Sequence, residues 1–179
     1  MAGPATAETI EALRLPIDVP APLWEAEGIP SERLERTGRS PQRRAVHVVE
    51  WVPAGETVED WTRLHALYVE RPVSLPFDAR LAEVLAPFEA ACRPAPRVRR
   101  VRQVAGRAAI EVACPSYVFD PARGEVALMV LDLSGTVAAR VYFEVKGPAF
   151  DADDRASWPL GVAAADAEIA RLWDGFRLP

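Results

Sequence analysis

Two histidines, His47 and His65, are the side chains of this 179-residue chain best suited to acid and base catalysis near neutral pH. Both fall in strand-like segments that could be neighbours in a sheet, where Glu50 or Asp60 could orient one of them. Such a pair in a pocket between sheet and helix would make a small cofactor-free enzyme or ligand-binding domain. We instead expect each histidine to be a surface or half-buried strand residue, and we assign no catalytic residue.

Metal and cofactor chemistry has no support in the spacing of the ligating side chains. The two histidines, together with Cys92 and Cys114, have ligand types that suit zinc, but their long separations lack the short paired spacing of zinc sites. The acidic run 151–154 contains neither the glycine nor the downstream glutamate of a calcium loop. Glycine-rich nucleotide motifs, the nucleophile elbow and the H-E-x-x-H metalloprotease motif do not occur. We therefore expect no cofactor and no metal.

A run of arginines between residues 93 and 107 is the strongest charge asymmetry in the sequence. It contains no acidic residue and includes the four arginines that we single out as candidate binding residues: Arg97, Arg99, Arg100 and Arg102. The run could contact nucleic acid, an anionic lipid surface or an acidic partner. The net charge of -5 and the pI of about 5.2 argue against nucleic acid as the main partner. The simpler interpretation is an edge strand whose charges prevent association with other strands.

The order of predicted elements indicates one α+β domain with a mainly antiparallel sheet and flanking helices. Alternation of β-branched and polar residues, or short apolar runs between turn signals, predicts strands at 45–53, 64–69, 97–104, 108–113, 125–133 and 136–145. Apolar stripes at helical spacing predict helices near 77–90 and 160–174. Ser134 and Gly135 are predicted to form a hairpin turn, and Thr57 to begin one or two helical turns. The longest apolar run, 126–131, has six residues, too few for a transmembrane segment.

The first 44 residues differ from the rest in their proline content. Six prolines interrupt residues 1–44, which favours an extended arm in front of the α+β domain at 45–179. A short helix from Thr6 to Leu15 could interrupt the arm. We expect the arm to dock through Ile17, Leu23 and Trp24, either on its own domain or on another chain.

One stretch carries a family resemblance. The residues run Glu50-Trp51-Val52-Pro53-Ala54-Gly55-Glu56-Thr57-Val58-Glu59-Asp60-Trp61. This stretch resembles the E-aromatic-V-P-x-G-E-T-x-x-[DN]-W motif of a bacterial family of small, usually exported proteins of unknown function. The resemblance extends loosely over residues 22–178, and the element order also looks like the PsbP-like fold. It implies a non-catalytic binding or assembly factor.

These features together lead us to expect a non-enzymatic binding or accessory protein that contacts a partner protein. Trp51 and Trp61 are expected to pack around the turn at Thr57, the alternative being exposed aromatic contacts for the partner. The absence of a convergent catalytic set carries this expectation more than any single motif does.

The two cysteines and the compartment are linked questions. Cys92 and Cys114 could be buried thiols or could form one disulfide, and the resemblance places both where exported relatives carry cysteines. Residues 1–10 lack the charged and apolar regions of a secretory leader, so we expect a cytoplasmic protein with reduced cysteines. The alternative is a periplasmic or exported protein whose leader was removed.

Overall fold

The computed structural model describes residues 7–179, which contain nine strands, two α-helices and two short 3-10 turns. The elements, in chain order, are β1 (Glu8–Ala12), β2 (Leu15–Val19), β3 (Ser31–Arg39), β4 (Ala45–Pro53), β5 (Arg63–Arg71), α1 (Phe77–Ala91), β6 (Arg97–Val104), β7 (Arg107–Cys114), β8 (Arg123–Ser134), β9 (Val137–Pro148) and α2 (Val162–Gly175). The predicted strands from residue 45 onwards and both predicted helices are present. Within the described residues, no helix has both the length and the apolar character needed to cross a membrane.

Seven of these strands form one antiparallel sheet in the order β3-β4-β5-β9-β8-β7-β6. The predicted α+β class with a mainly antiparallel sheet is therefore confirmed. The long β8–β9 hairpin occupies the centre, and β8 is buried from Gly124 to Leu131 because both of its faces are covered. Its turn lies at Gly135 and Thr136, one residue later than predicted, since Ser134 still pairs with Val137.

Each face of the sheet packs against a different layer. The face that we call the α2 face presents Leu67, Leu128 and Phe143 to helix α2 and to the β1–β2 hairpin. The opposite face, the α1 face, presents alternate residues such as Met129 to helix α1, which contributes Leu81 and other apolar residues. Neighbouring residues of one strand therefore belong to different cores, as the two-residue period of a strand requires.

The segment before residue 45 differs from the predicted arm. In place of a separate extended arm, residues 7–44 form the β1–β2 hairpin, a 3-10 turn at Leu23–Glu27 and the edge strand β3. The predicted helix from Thr6 to Leu15 is wrong for its described part, because Leu13 and Arg14 adopt positive φ and turn the chain back on itself. Thr6 lies outside the described residues.

The expected docking of this segment is confirmed. Ile17 and Trp24 are fully buried in the α2-face core, and Leu23 packs against its margin. The hairpin also meets the end of the chain, where Asp18 and Arg177 exchange two backbone hydrogen bonds of 3.2 and 3.1 Å. The first and last described elements are thereby joined over the same face of the sheet.

A disulfide links the two cysteines, so the expectation of reduced thiols is wrong. Cys92 follows the last turn of α1 and Cys114 ends β7, and their Cα atoms lie 5.3 Å apart. The Arg93 N–H donates to the Ser116 carbonyl at 2.8 Å and keeps these two chain segments side by side. The disulfide therefore fastens the C-terminal end of α1 to the sheet.

The predicted helical turns at Thr57 are also absent. The Thr57 hydroxyl accepts a hydrogen bond from the Asp60 N–H at 3.2 Å, the contact expected of a cap, but the chain makes only an isolated turn before β5. The turn carries Trp61 back onto the sheet.

Candidate functional site

Both histidines are buried on the α2 face, so the expectation of surface or half-buried positions is wrong, and the two side chains do not lie together. His65 is fully buried, with its ring centroid 5.4 Å from that of Trp51, and burial together with nearby Arg171 lowers its pKa to about 3. His47 is also buried, and its Nε2 lies 2.9 Å from Oε1 of Glu35 on the neighbouring strand β3. His65 of β5 lies opposite Trp51 of β4, and His47 is four residues before Trp51 on β4. The two histidines are therefore about 13 Å apart along the strand direction.

Neither predicted tryptophan contact is exposed. Trp51 is 4% exposed and packs between His65 and the guanidinium of Arg33, whose Cζ is 5.7 Å from the ring centroid. Trp61 is 8% exposed and carries the Lys146 ammonium 3.6 Å above its ring. Both rings therefore pack within the domain. Within residues 7–179, no three His, Cys, Asp or Glu side chains are arranged to hold a metal ion.

The predicted arginine run forms strand β6, which lies at one margin of the sheet. All eight residues of β6 are exposed, because the strand has β7 on one side and no described strand on the other. Arg97 and Arg99 project toward the α2 face, opposite Ala113 and Glu111. A β-bulge between Arg100 and Arg102 inserts one extra residue and changes the alternation beyond it.

The arginines of β6 are not a bare positive patch. Arg97 pairs with Asp153 at 3.1 Å, Arg100 pairs with Asp78 at 2.8 Å, and Arg102 lies 3.9 Å from Asp174. These acidic partners come from the 151–154 loop and from both helices. The sequence could not reveal this neutralisation, since each partner is distant along the chain.

A buried carboxylate organises the inner side of β6. Glu111 of β7 is fully buried and accepts two hydrogen bonds from Arg99, at 2.7 and 2.9 Å, and one from Arg155, at 2.8 Å. Arg155 also donates to Asp166 of α2 at 2.7 Å. The bidentate contact with Glu111 raises the pKa of the Arg99 guanidinium. Sequence analysis missed Glu111 and Arg155, although an acidic residue inside the apolar segment 108–113 was a signal.

Two cavities lie beside this network, between β6 and the elements that cover the α2 face. The first has a volume of about 280 Å³ and is lined by Arg97, Arg99, Glu111, Asp153, Arg155 and Trp158. The second has a volume of about 310 Å³ and is lined by Val101, Arg102, Ala109, Asp166, Ile169 and Trp173. We call the two cavities together the β6 groove. They arise where α2 packs mainly on β8 and where β7 presents the small side chain of Ala109.

One residue that lines the first cavity has a buried polar group without a partner. Trp158 is 7% exposed, and its indole N–H has no hydrogen-bond acceptor among the described residues. A buried donor of this kind is costly unless an acceptor is supplied.

The other margin of the sheet has a different character. Strand β3 is also exposed, but its charges alternate in sign and pair locally: Arg33 contacts Glu8 and Glu35, and Arg36 contacts Glu50. Neither cavity of the β6 groove borders β3.

Comparison of the chain with protein-family models, curated proteins and solved structures finds no match. The resemblance of residues 50–61 to the exported bacterial family, and that of the element order to the PsbP-like fold, stay predictions.

Proposed function

We propose that this chain is a non-enzymatic binding or accessory protein that contacts a partner protein through strand β6. The observation that carries the proposal is that all eight residues of an outermost strand are exposed. The free side of such a strand offers backbone N–H and C=O groups to an added strand, which is a recurrent mode of peptide recognition.

The side chains of β6 support this use of the strand. Val98, Val101 and Val104 are exposed and add apolar contact area along the same strand. Apolar side chains beside a free backbone edge favour pairing with another chain. The arginines of β6 do not prevent an added strand, because acidic side chains of the same chain balance their charges.

Nucleic acid is disfavoured as the main partner. The net charge is -5, which opposes the long-range attraction of the chain to a polyanion.

An enzyme or ligand-binding domain with a histidine and a carboxylate is the second candidate. The 2.9 Å contact between His47 and Glu35 favours it. His47, however, is buried and lines neither cavity of the β6 groove. We therefore rank this candidate below partner binding.

We also infer that the protein works in an oxidising compartment, which replaces the cytoplasmic location expected from the sequence. The Cys92–Cys114 disulfide supports this inference, because such bonds persist outside the reducing cytosol. Alkylation of the protein in freshly lysed source cells is the test. Blocked thiols would support the inference, and two alkylated cysteines would contradict it.

Site-specific photocrosslinking tests the binding surface. A benzoylphenylalanine is incorporated either at position 98 on β6 or at position 34 on β3, whose native Val98 and Leu34 are both 37% exposed. We expect a discrete crosslinked partner at position 98 in source cells and none at position 34. Equal products at both positions, or no product at position 98, would overturn the proposal.

A further inference from the structure

We propose that the occupant of β6 is an extended acidic segment of the partner protein, which pairs with the strand and places carboxylates in the β6 groove against Arg97 and Arg102. This inference rests on the proposed function and adds the chemistry of the partner. The charge of the strand, its bulge and the contents of the groove each contribute a step.

The charge of β6 selects an acidic strand over a second copy of this chain. Four arginines and no acidic residue occur within Arg97–Val104. Pairing of β6 with another β6 would bring arginines of one copy beside arginines of the other, and like charges on paired strands are unfavourable. An acidic strand places opposite charges there instead.

The bulge puts the relevant arginines on one face. Residues 97 and 102 are an odd number of positions apart, so a regular strand would point them to opposite faces. The extra residue Val101 restores the alternation, because Arg97 pairs with Ala113 and Arg102 with Ala109, two residues of the α2-face core. Arg97, Arg99 and Arg102 therefore face the same side of the sheet, where both cavities of the β6 groove lie.

Arg97 and Arg102 are free to exchange their acidic partners, whereas Arg99 is fixed. The side chains of Asp153 and Asp174, which pair with Arg97 and Arg102, are 75% and 74% exposed. Exposed ion pairs of this kind contribute little, so an incoming carboxylate can replace them. Arg99 is held by the buried Glu111 and lines the first cavity.

An alternating acidic and apolar segment fits this arrangement, because successive side chains of a strand point to opposite faces. Its carboxylates would all point to the α2 face, where Arg97 lines the first cavity and Arg102 lines the second. Its apolar side chains would point to the opposite face, on which Val98 lies opposite Val112. Nucleic acid cannot use the backbone edge of β6, so the groove and the edge together favour a polypeptide.

Peptide binding to the full chain tests the inference. The probes are fluorescein-labelled acetyl-(Glu-Val)4-amide and acetyl-(Lys-Val)4-amide, and binding is followed by fluorescence anisotropy at low and high salt. We expect the acidic peptide to bind and the basic peptide not to bind. The double variant R97E/R102E should bind the acidic peptide about tenfold more weakly and should now bind the basic peptide, because the attraction is reversed.

The matched control is R39E, a charge reversal of an exposed arginine on the opposite edge strand β3. We expect R39E to leave both affinities unchanged, and circular dichroism melts confirm that all variants fold. Three results would overturn the inference. They are equal binding of the two peptides to wild type, weaker binding of the acidic peptide to R39E, and displacement of the acidic peptide by single-stranded RNA to the same extent from wild type and from R97E/R102E.

The outcome is separable from that of the proposed function. A crosslinked partner at position 98 whose captured segment lacks acidic residues would leave partner binding standing and would refute the acidic segment. Absence of any crosslink together with absence of peptide binding would refute both.

Discussion

Opening the Cys92–Cys114 disulfide should lower the free energy of unfolding without unfolding the domain. The bond joins Cys92, just after helix α1, to Cys114 at the end of β7, a sequence separation of 22, and the loop it closes contains β6 and nearly all of β7. A closed loop restricts the unfolded chain, and for a loop of this length the chain-entropy relation gives about 3 kcal/mol. Leu81 and Val84 still anchor α1 in its core when the bond is open, so the fold persists.

Urea unfolding of the oxidised and reduced protein measures this contribution. With a dependence of about 2 kcal/mol per molar urea, a loss of about 3 kcal/mol lowers the midpoint by about 1.5 M. The variant C92A/C114A should lie near the reduced protein, slightly lower because two buried sulfurs are lost, and it should not respond to reductant.

Two results would refute the reasoning. If the midpoints of oxidised and reduced protein differ by less than about 0.3 M, which is about 0.6 kcal/mol at this slope, the unfolded chain gains little freedom on reduction. Complete unfolding on reduction would mean that the apolar contacts of α1 do not hold the helix on the sheet.

Three further outcomes follow from individual side chains. Glu111→Gln should destabilise the protein by about 3 kcal/mol in urea unfolding, because it leaves two arginines beside an uncharged buried group, whereas exposed Asp153→Asn should cost less than about 1 kcal/mol. The pKa of His65 is lowered to about 3, so below about pH 6.5 the unfolded state binds a proton that the folded state does not bind. The free energy of unfolding should therefore fall as the pH drops from 6.5 toward 3, and His65→Leu should reduce this fall. An unchanged dependence of the unfolding free energy on pH in the variant would contradict the prediction. Gly106→Ala should cost about 1 to 3 kcal/mol in thermal melts, since φ is +74° and the new Cβ would lie 2.8 Å from a carbonyl oxygen, whereas Gly38→Ala should be nearly neutral.

The sequence was sufficient for the elements whose signal is local. Alternation in 45–53 and the continuous apolar run 126–131 predicted β4 and the buried strand β8, and the stripe through Leu81 predicted α1. The first hairpin was missed because its turn uses Leu13 and Arg14 at positive φ, where glycine or asparagine would have been the usual signal.

The features of the candidate site depend on contacts between distant residues. The arginine run predicted an edge strand, and β6 is one, but its neutralisation by Asp78, Asp153 and Asp174 needed the tertiary structure. The β6 groove likewise exists only because strand β7 and helix α2 meet beside β6. Composition and periodicity carry no information about such meetings.

The backbone hydrogen bonds between Asp18 and Arg177 have a consequence for biosynthesis. Strands β3 to β9 precede α2 in the chain, so a ribosome delivers the whole seven-stranded sheet before it delivers the helix that covers Leu67 and Phe143. The β1–β2 hairpin is made before the sheet, but its backbone partner at residue 177 follows both the sheet and α2. Until α2 is made, the hairpin alone covers the α2 face, and apolar surface left exposed during folding promotes aggregation.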